Sequence, residues 1–209
     1  MPKKRKGPAK PRSGRRAGQR YDAEHGVKTE ATVFLRSLDP DAIGPSLEDA
    51  THYEPSPVHD FDRLMAHVTI APEEATFIDL GSGMGRAVML AALRPFRQVV
   101  GVEFSPALCE IARENVKRFH GERRRCRDVR IVCRDAKDYV FPRGPLVVYL
   151  FNPFRGAVME AVVERLAARR GDLNVVYHTP IQRRLFNATE AFEILYESYT
   201  WMVYRKARK

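Results

Sequence analysis

The feature that most constrains this chain is the segment Asp79-Leu80-Gly81-Ser82-Gly83-Met84-Gly85-Arg86. It sits between the short apolar run Phe77-Ile78-Asp79-Leu80, with which it overlaps, and the small aliphatic stretch Ala87 to Leu93. That order spells a buried strand, a glycine turn and a helix. Glycines let the backbone turn sharply and approach a ligand, and the N–H groups opening the helix favour an electron-rich or negatively charged group. The pattern is G-x-G-x-G, with Arg86 where the dinucleotide fingerprint G-x-G-x-x-G needs its third glycine. This argues against NAD.

The alternation continues along the chain. Val99-Val100-Gly101-Val102 leads to a helix over Pro106 to Phe119, then come the strands Val129 to Cys133 and Leu146 to Phe151. A helix from about Gly156 to Arg170 precedes Leu173 to Thr179, and Phe192 to Tyr196 with Thr200 to Tyr204 reads as a closing hairpin. Continuous apolar strands separated by helices predict an α/β fold: a doubly wound, seven-stranded, mostly parallel Rossmann-like sheet with a C-terminal antiparallel hairpin. Ligands of such sheets lie beyond the carboxyl ends of the strands. Upstream, Val58, Phe61, Leu64, Met65 and Val68 fall at helical spacing. The predicted organisation is a tail over 1–20, an arm with one helix over 21–73, and the main domain over 74–209.

Charge is distributed unevenly. Of the net +10, residues 1–20 supply nine through their Lys and Arg with no acid, leaving +1 for the remainder. So polar a stretch cannot bury enough surface to offset its ordering entropy, which predicts disorder over 1–20. The tail fits nonspecific contact with a polyanion such as RNA, or no specific partner at all. Pro2-Lys3-Lys4-Arg5-Lys6 also has the composition of a nuclear-import signal. Cys109, Cys126 and Cys133 form no C-x-x-C pair, and the six histidines lack the spacing of a zinc site, so no metal is expected. No apolar run is long enough to span a bilayer, and no apolar core follows the basic N-terminus as in a secretory signal, so a cytoplasmic protein without a membrane partner is expected.

Two acids complete the ligand reading. Glu103 ends the second strand about twenty residues beyond the glycines, where a carboxylate accepts hydrogen bonds from both ribose hydroxyls. Its alternative is an acid at a helix start, beside Ser105 as cap and Pro106 at the first position. Asp135-Ala136 follows the third strand and suits the amine of adenine, an exposed turn being the alternative.

Together these residues resemble the class I S-adenosylmethionine-dependent methyltransferases, over roughly residues 75 to 205. HYEPSP, DLGSGMGR, GVEFSP and NPF, with YDAEHGVKTE upstream, are similar to a group of bacterial methyltransferases without an established acceptor. The resemblance implies S-adenosyl-L-methionine as cofactor. Asp79, Gly81, Ser82, Gly83 and Gly85 would contact its methionine part, Glu103 the ribose, Phe104 a face of the adenine, and Asp135 with Ala136 the adenine edge.

Asn152-Pro153-Phe154 follows the fourth strand. In methyltransferases acting on amines a similar turn accepts hydrogen bonds from the target nitrogen, though Phe154 stands where that pattern has a second proline. The turn also resembles the Asn-Phe turn of the non-SET histone lysine methyltransferases, as Tyr53-Glu54-Pro55 resembles their cofactor-covering arm. The resemblance thus implies Asn152 orienting an unidentified methyl acceptor, the Pro153 carbonyl assisting, and Phe154 with Tyr53 walling the pocket. A plain strand-ending turn is the alternative. His178, ending the fifth strand, is a candidate proton acceptor or a structural residue. The favoured acceptor is an amine on a protein or small molecule. Competing readings are an RNA methyltransferase using the tail and Arg123-Arg124-Arg125, a non-catalytic cofactor- and polyanion-binding protein, and an NAD-dependent oxidoreductase.

Overall fold

The computed structural model describes residues 12–31, 53–119 and 124–207, excepting the side chains of residues 12–14. Its strands are β1 (Thr76–Leu80), β2 (Gln98–Glu103), β3 (Val129–Cys133), β4 (Leu146–Phe151), β5 (Leu173–His178), β6 (Phe192–Glu197) and β7 (Trp201–Lys206). Its helices are α1 (Arg12–His25), α2 (Val58–Met65), α3 (Arg86–Ala92), α4 (Pro106–Arg118), α5 (Gly156–Ala168) and α6 (Arg183–Asn187). The strands form one sheet in the order β3-β2-β1-β4-β5-β7-β6. Strands β1 to β5 are parallel, and β7 enters antiparallel between β5 and β6. The doubly wound sheet with a reversed C-terminal pair is the architecture expected from the alternation.

The apolar runs are explained by burial on both faces. Every residue of β1 and β5 is buried, whereas β3, at an edge, is only partly covered. Period-two alternation divides each strand between two cores. Phe77, Val99, Val147 and Val176 join residues of α2 and α3 on one face, with Tyr21 of α1. Ile78, Val100, Val148 and Val175 meet Met159 and Val162 of α5 and Phe186 of α6 on the other. Asn174, buried in β5, accepts from Thr69 N (2.9 Å), Thr69 Oγ1 (3.1 Å) and Ile70 N (3.2 Å), tying the connection after α2 to the sheet. The cap of α4 forms as expected, with Ser105 Oγ accepting from Leu108 N at 3.4 Å and Pro106 opening the helix.

One expectation is corrected. Disorder was expected over 1–20, but residues 12–20 belong to α1; residues 1–11 lie outside the described residues. Composition misled because only a few residues of this helix face inward. Arg15, Arg16 and Arg20 stay exposed, while Gly18 and Tyr21 are buried and Asp22 reaches inward to polar partners. Among the described residues no helix is long and apolar enough to cross a membrane.

Candidate functional site

A cleft opens at the carboxyl ends of the parallel strands, the place where ligands of such sheets bind. It is floored by the turn between β1 and α3. Gly81, Gly83 and Gly85 have φ of 77°, 53° and 86°, the left-handed region that favours glycine. The turn is pinned underneath, since Gly81 N and Ser82 N both donate to the Val102 carbonyl, at 2.8 and 3.0 Å. Close neighbours add a second constraint. A Cβ on Gly81 would overlap Pro153 Cβ, and one on Gly83 would overlap the Tyr53 ring.

Of the residues singled out in the sequence, the cleft brings together Tyr53, Asp79, Gly81, Ser82, Gly83, Glu103, Phe104, Asp135, Ala136, Pro153 and Phe154. Gly85 instead caps α3 against Ala112 of α4. Asn152 is absent from the lining; it holds φ at 40°, and its side-chain oxygen is buried. Asn tolerates that left-handed conformation better than most residues, so the backbone of the turn favours it too. His178 is buried and stacked between Phe151 and Trp201, with ring centroids 4.0 Å from each, outside the cleft lining. Arg124 donates to the carbonyls of Cys126 and Arg127, and Arg123 lies outside the described residues.

Two buried carboxyls dominate the electrostatics. Glu103 accepts from Gly83 N through one oxygen and from Ser105 N through the other, each at 2.9 Å. It meets the backbone at the start of α4, the alternative offered by the sequence, and it also lines the cleft with acceptor capacity remaining. Burial raises its pKa, and the backbone N–H bonds partly oppose that shift. Burial pushes Asp79 up to about 8, with the nearby Glu103 carboxylate adding to the rise. A cleft of this kind is suited to a ligand that brings positive charge and hydrogen-bond donors. Ser82 Oγ, buried without a hydrogen-bond partner among the described residues, is one further polar atom at the floor. Asp135 accepts from Lys137 N at 3.0 Å, holding the turn after β3 at the cleft's far end.

Sequence reading missed the polar cluster behind Tyr53. Arg86, at the start of α3, is 2% exposed and donates to Thr29 Oγ1 (2.6 Å), Glu30 Oε2 (2.9 Å) and Asp22 Oδ1 (3.3 Å). Asn115 of α4 bridges the same segment to the glycine turn, donating to the carbonyls of Lys28 at 3.0 Å and Met84 at 2.9 Å. The available signal was a lone arginine inside a glycine turn, because a buried guanidinium requires anionic partners from elsewhere in the chain.

Among known proteins, residues 56–127 match the family model for the histone methylation protein DOT1. No curated protein sequence matches the chain. The structure is similar to that of a ribosomal protein L11 methylase from Lactobacillus delbrueckii subsp. bulgaricus, at 15% identity and a TM-score of 0.50 over 71% of this chain and 77% of that one. A putative RNA methyltransferase from Pyrococcus horikoshii is similar at 17% identity and 0.53, covering 72% and 83%. So is a putative methyltransferase from Escherichia coli, at 14% identity and 0.54, covering 72% and 84%. At these identities the likeness is one of fold.

Proposed function

We propose that this chain, which has the class I S-adenosylmethionine-dependent methyltransferase fold, transfers a methyl group from S-adenosyl-L-methionine to an amine on a protein or small molecule. The observation that carries the cofactor reading is the placement of Glu103. It binds the Gly83 amide while facing a cleft that runs between the glycine turn, Asp135 and the Pro153-Phe154 turn. The residues present fit the group: Asp79 would face its ammonium, Glu103 its ribose, and Phe104 with Asp135 and Ala136 its adenine. When bound, S-adenosylmethionine supplies a methyl group activated on a sulfonium. Methyl transfer is an in-line displacement, so the chain's task is to align the acceptor and exclude water.

Phe154 and Tyr53 wall the cleft, and Pro153 is held against Gly81. In this reading Asn152 orients the acceptor nitrogen from beside the wall and the Pro153 carbonyl assists. A neutral amine needs no strong base, consistent with His178 being stacked outside the cleft. The match to the model for the histone methylation protein DOT1 over 56–127 supports a protein as acceptor.

The reading is tested in two steps. S-adenosylmethionine and S-adenosylhomocysteine, but not NAD, should raise the melting temperature, with about 2.7 kcal/mol of added stability at 100 times the dissociation constant. Incubation with labelled methyl donor and fractionated extract should then transfer label to a protein or small-molecule fraction. Label appearing only in RNA would replace the amine acceptor, and stabilisation by NAD alone would overturn the cofactor.

A further inference from the structure

The buried cluster around Arg86 stands outside every role assigned above, yet it touches the cleft. Arg86 lines the cleft, and its guanidinium binds Asp22, Thr29 and Glu30, all from the segment that follows α1 or ends it. Asp22 secures the same segment from the helix side, accepting from Thr29 N at 2.6 Å, Thr29 Oγ1 at 2.5 Å and Glu30 N at 2.7 Å. The link to the cleft then runs through Thr29, whose carbonyl accepts from the Tyr53 hydroxyl at 2.9 Å. The Tyr53 ring is the group that leaves no room for a side chain at Gly83.

We propose that Arg86 is a positioning residue that locks the Asp22–Glu30 segment against α3 and, through Thr29, seats the Tyr53 ring over the glycine turn. This inference rests on the cofactor reading given above and adds its consequence: cofactor binding and ordering of the Asp22–Glu30 segment are coupled. The physical reason is the cost of the cluster. A buried guanidinium is tolerated only with all its partners in place, so the segment and the turn are held together or not at all. Gly18 provides a handle that does not itself line the cleft. A Cβ there would overlap Glu30 Oε2 and lie 2.7 Å from Arg86 Nη1, so alanine forces the Glu30 carboxylate off the guanidinium.

The experiment uses the full chain, with S-adenosylhomocysteine as probe. Affinity is measured by calorimetry for the wild type, Gly18→Ala, Arg86→Lys and Tyr53→Phe, with amide hydrogen exchange followed over residues 22–31 with and without the probe. In the wild type the probe should slow exchange over 22–31, although none of those residues lines the cleft. Gly18→Ala, with helix content confirmed by circular dichroism, should bind at least about tenfold more weakly, about 1.4 kcal/mol, and lose that protection. Arg86→Lys, which keeps the charge, should fall between the two.

A folded Gly18→Ala protein with wild-type affinity and wild-type protection overturns the inference. If Gly18→Ala does not fold, Tyr53→Phe decides, because it keeps the ring and removes only the bond to Thr29; unchanged protection over 22–31 then overturns the inference. Absence of probe binding by the wild type overturns the cofactor reading itself, and this inference with it.

Discussion

Replacing Asp79 with Asn removes a titrating group at nearly constant volume, and burial dictates the consequence. The carboxyl titrates near 3.8 when unfolded, and burial pushes it up to about 8 in the folded protein. Between those values the folded state holds a proton that the unfolded state has lost. The low-pH form is thus the favoured one: stability from this group is complete below about pH 4 and drains away as pH rises towards 8, at up to about 1.4 kcal/mol per unit. By pH 7 the accumulated loss reaches up to about 4 kcal/mol. Asp79→Asn cannot lose that proton, although its buried amide still costs about 1 to 3 kcal/mol if unsatisfied. The variant should therefore be more stable than the wild type at pH 7 by about 1 to 3 kcal/mol, with a flatter profile from pH 5 to 8. Glu103, also shifted upward by burial, leaves a residual slope. Cofactor binding should show the opposite ranking. Wild-type affinity for S-adenosylhomocysteine should rise with pH towards 8 as Asp79 becomes able to face an ammonium, and Asp79→Asn should bind weakly at every pH. Urea denaturation of the empty proteins at pH 5, 6, 7 and 8, with calorimetry on the same preparations, reads both effects. Parallel stability profiles for the two proteins would refute the reasoning, since Asp79 would then be ionised in the folded protein.

Glu103→Ala should weaken S-adenosylhomocysteine binding by about 1.5 to 3 kcal/mol, the range for hydrogen bonds to a charged group, and calorimetry returning wild-type affinity would move the ribose contact elsewhere. Asn152→Ala should spare cofactor binding but slow turnover about 10²- to 10³-fold if Asn152 orients the acceptor; because its φ is 40°, Asn152→Gly serves as the backbone control, and a glycine variant turning over at the wild-type rate would reduce Asn152 to architecture. Deleting residues 1–11 should leave cofactor affinity unchanged and flatten the salt dependence of any RNA binding, measured by titration at two or more salt concentrations. Deleting 1–20 should in addition weaken cofactor binding, because it removes Gly18 and most of α1; equal cofactor affinity in the two truncations would contradict that.

The strand-turn-helix units were legible because their signals are local. An apolar run, three glycines and an acid at the next strand's end lie within 77–103, and the same few residues create the turn, the pinning by Val102 and the Glu103 bond to Gly83. The reversed hairpin was legible for a similar reason, as two short patterned strands close in sequence. What stayed hidden was non-local. Arg86 finds its partners 56, 57 and 64 residues upstream, and no window of periodicity contains that relation. The same blindness hid α1, whose basic surface suggests a solvated tail while two or three inward residues carry its docking. Asn152 is a different case, since one residue type suits both a polar ligand contact and a left-handed turn, and the sequence carries no backbone angle to separate them.

The glycine pattern itself means more in three dimensions than in one. Read along the chain, Gly81, Gly83 and Gly85 are three equivalent permissions to turn. In the structure they differ. Gly85 is required by its φ of 86° at the cap of α3, where the nearest atom to an added Cβ would be Ala112 Cβ at an ordinary 3.5 Å. Gly81 and Gly83 carry a second requirement, because Pro153 from the turn after β4 and Tyr53 from the N-terminal side press on them from different segments. The spacing thus records the convergence of three pieces of chain on one cleft: the turn that floors it, the turn after β4 that walls it, and the Tyr53 ring, whose hydroxyl is bonded to the Thr29 carbonyl. A side chain at either position would push one wall away from the floor and widen the cleft. That makes the identity of these two glycines a property of the assembled site, and ties the local motif to the remote Arg86 cluster through the Tyr53 ring.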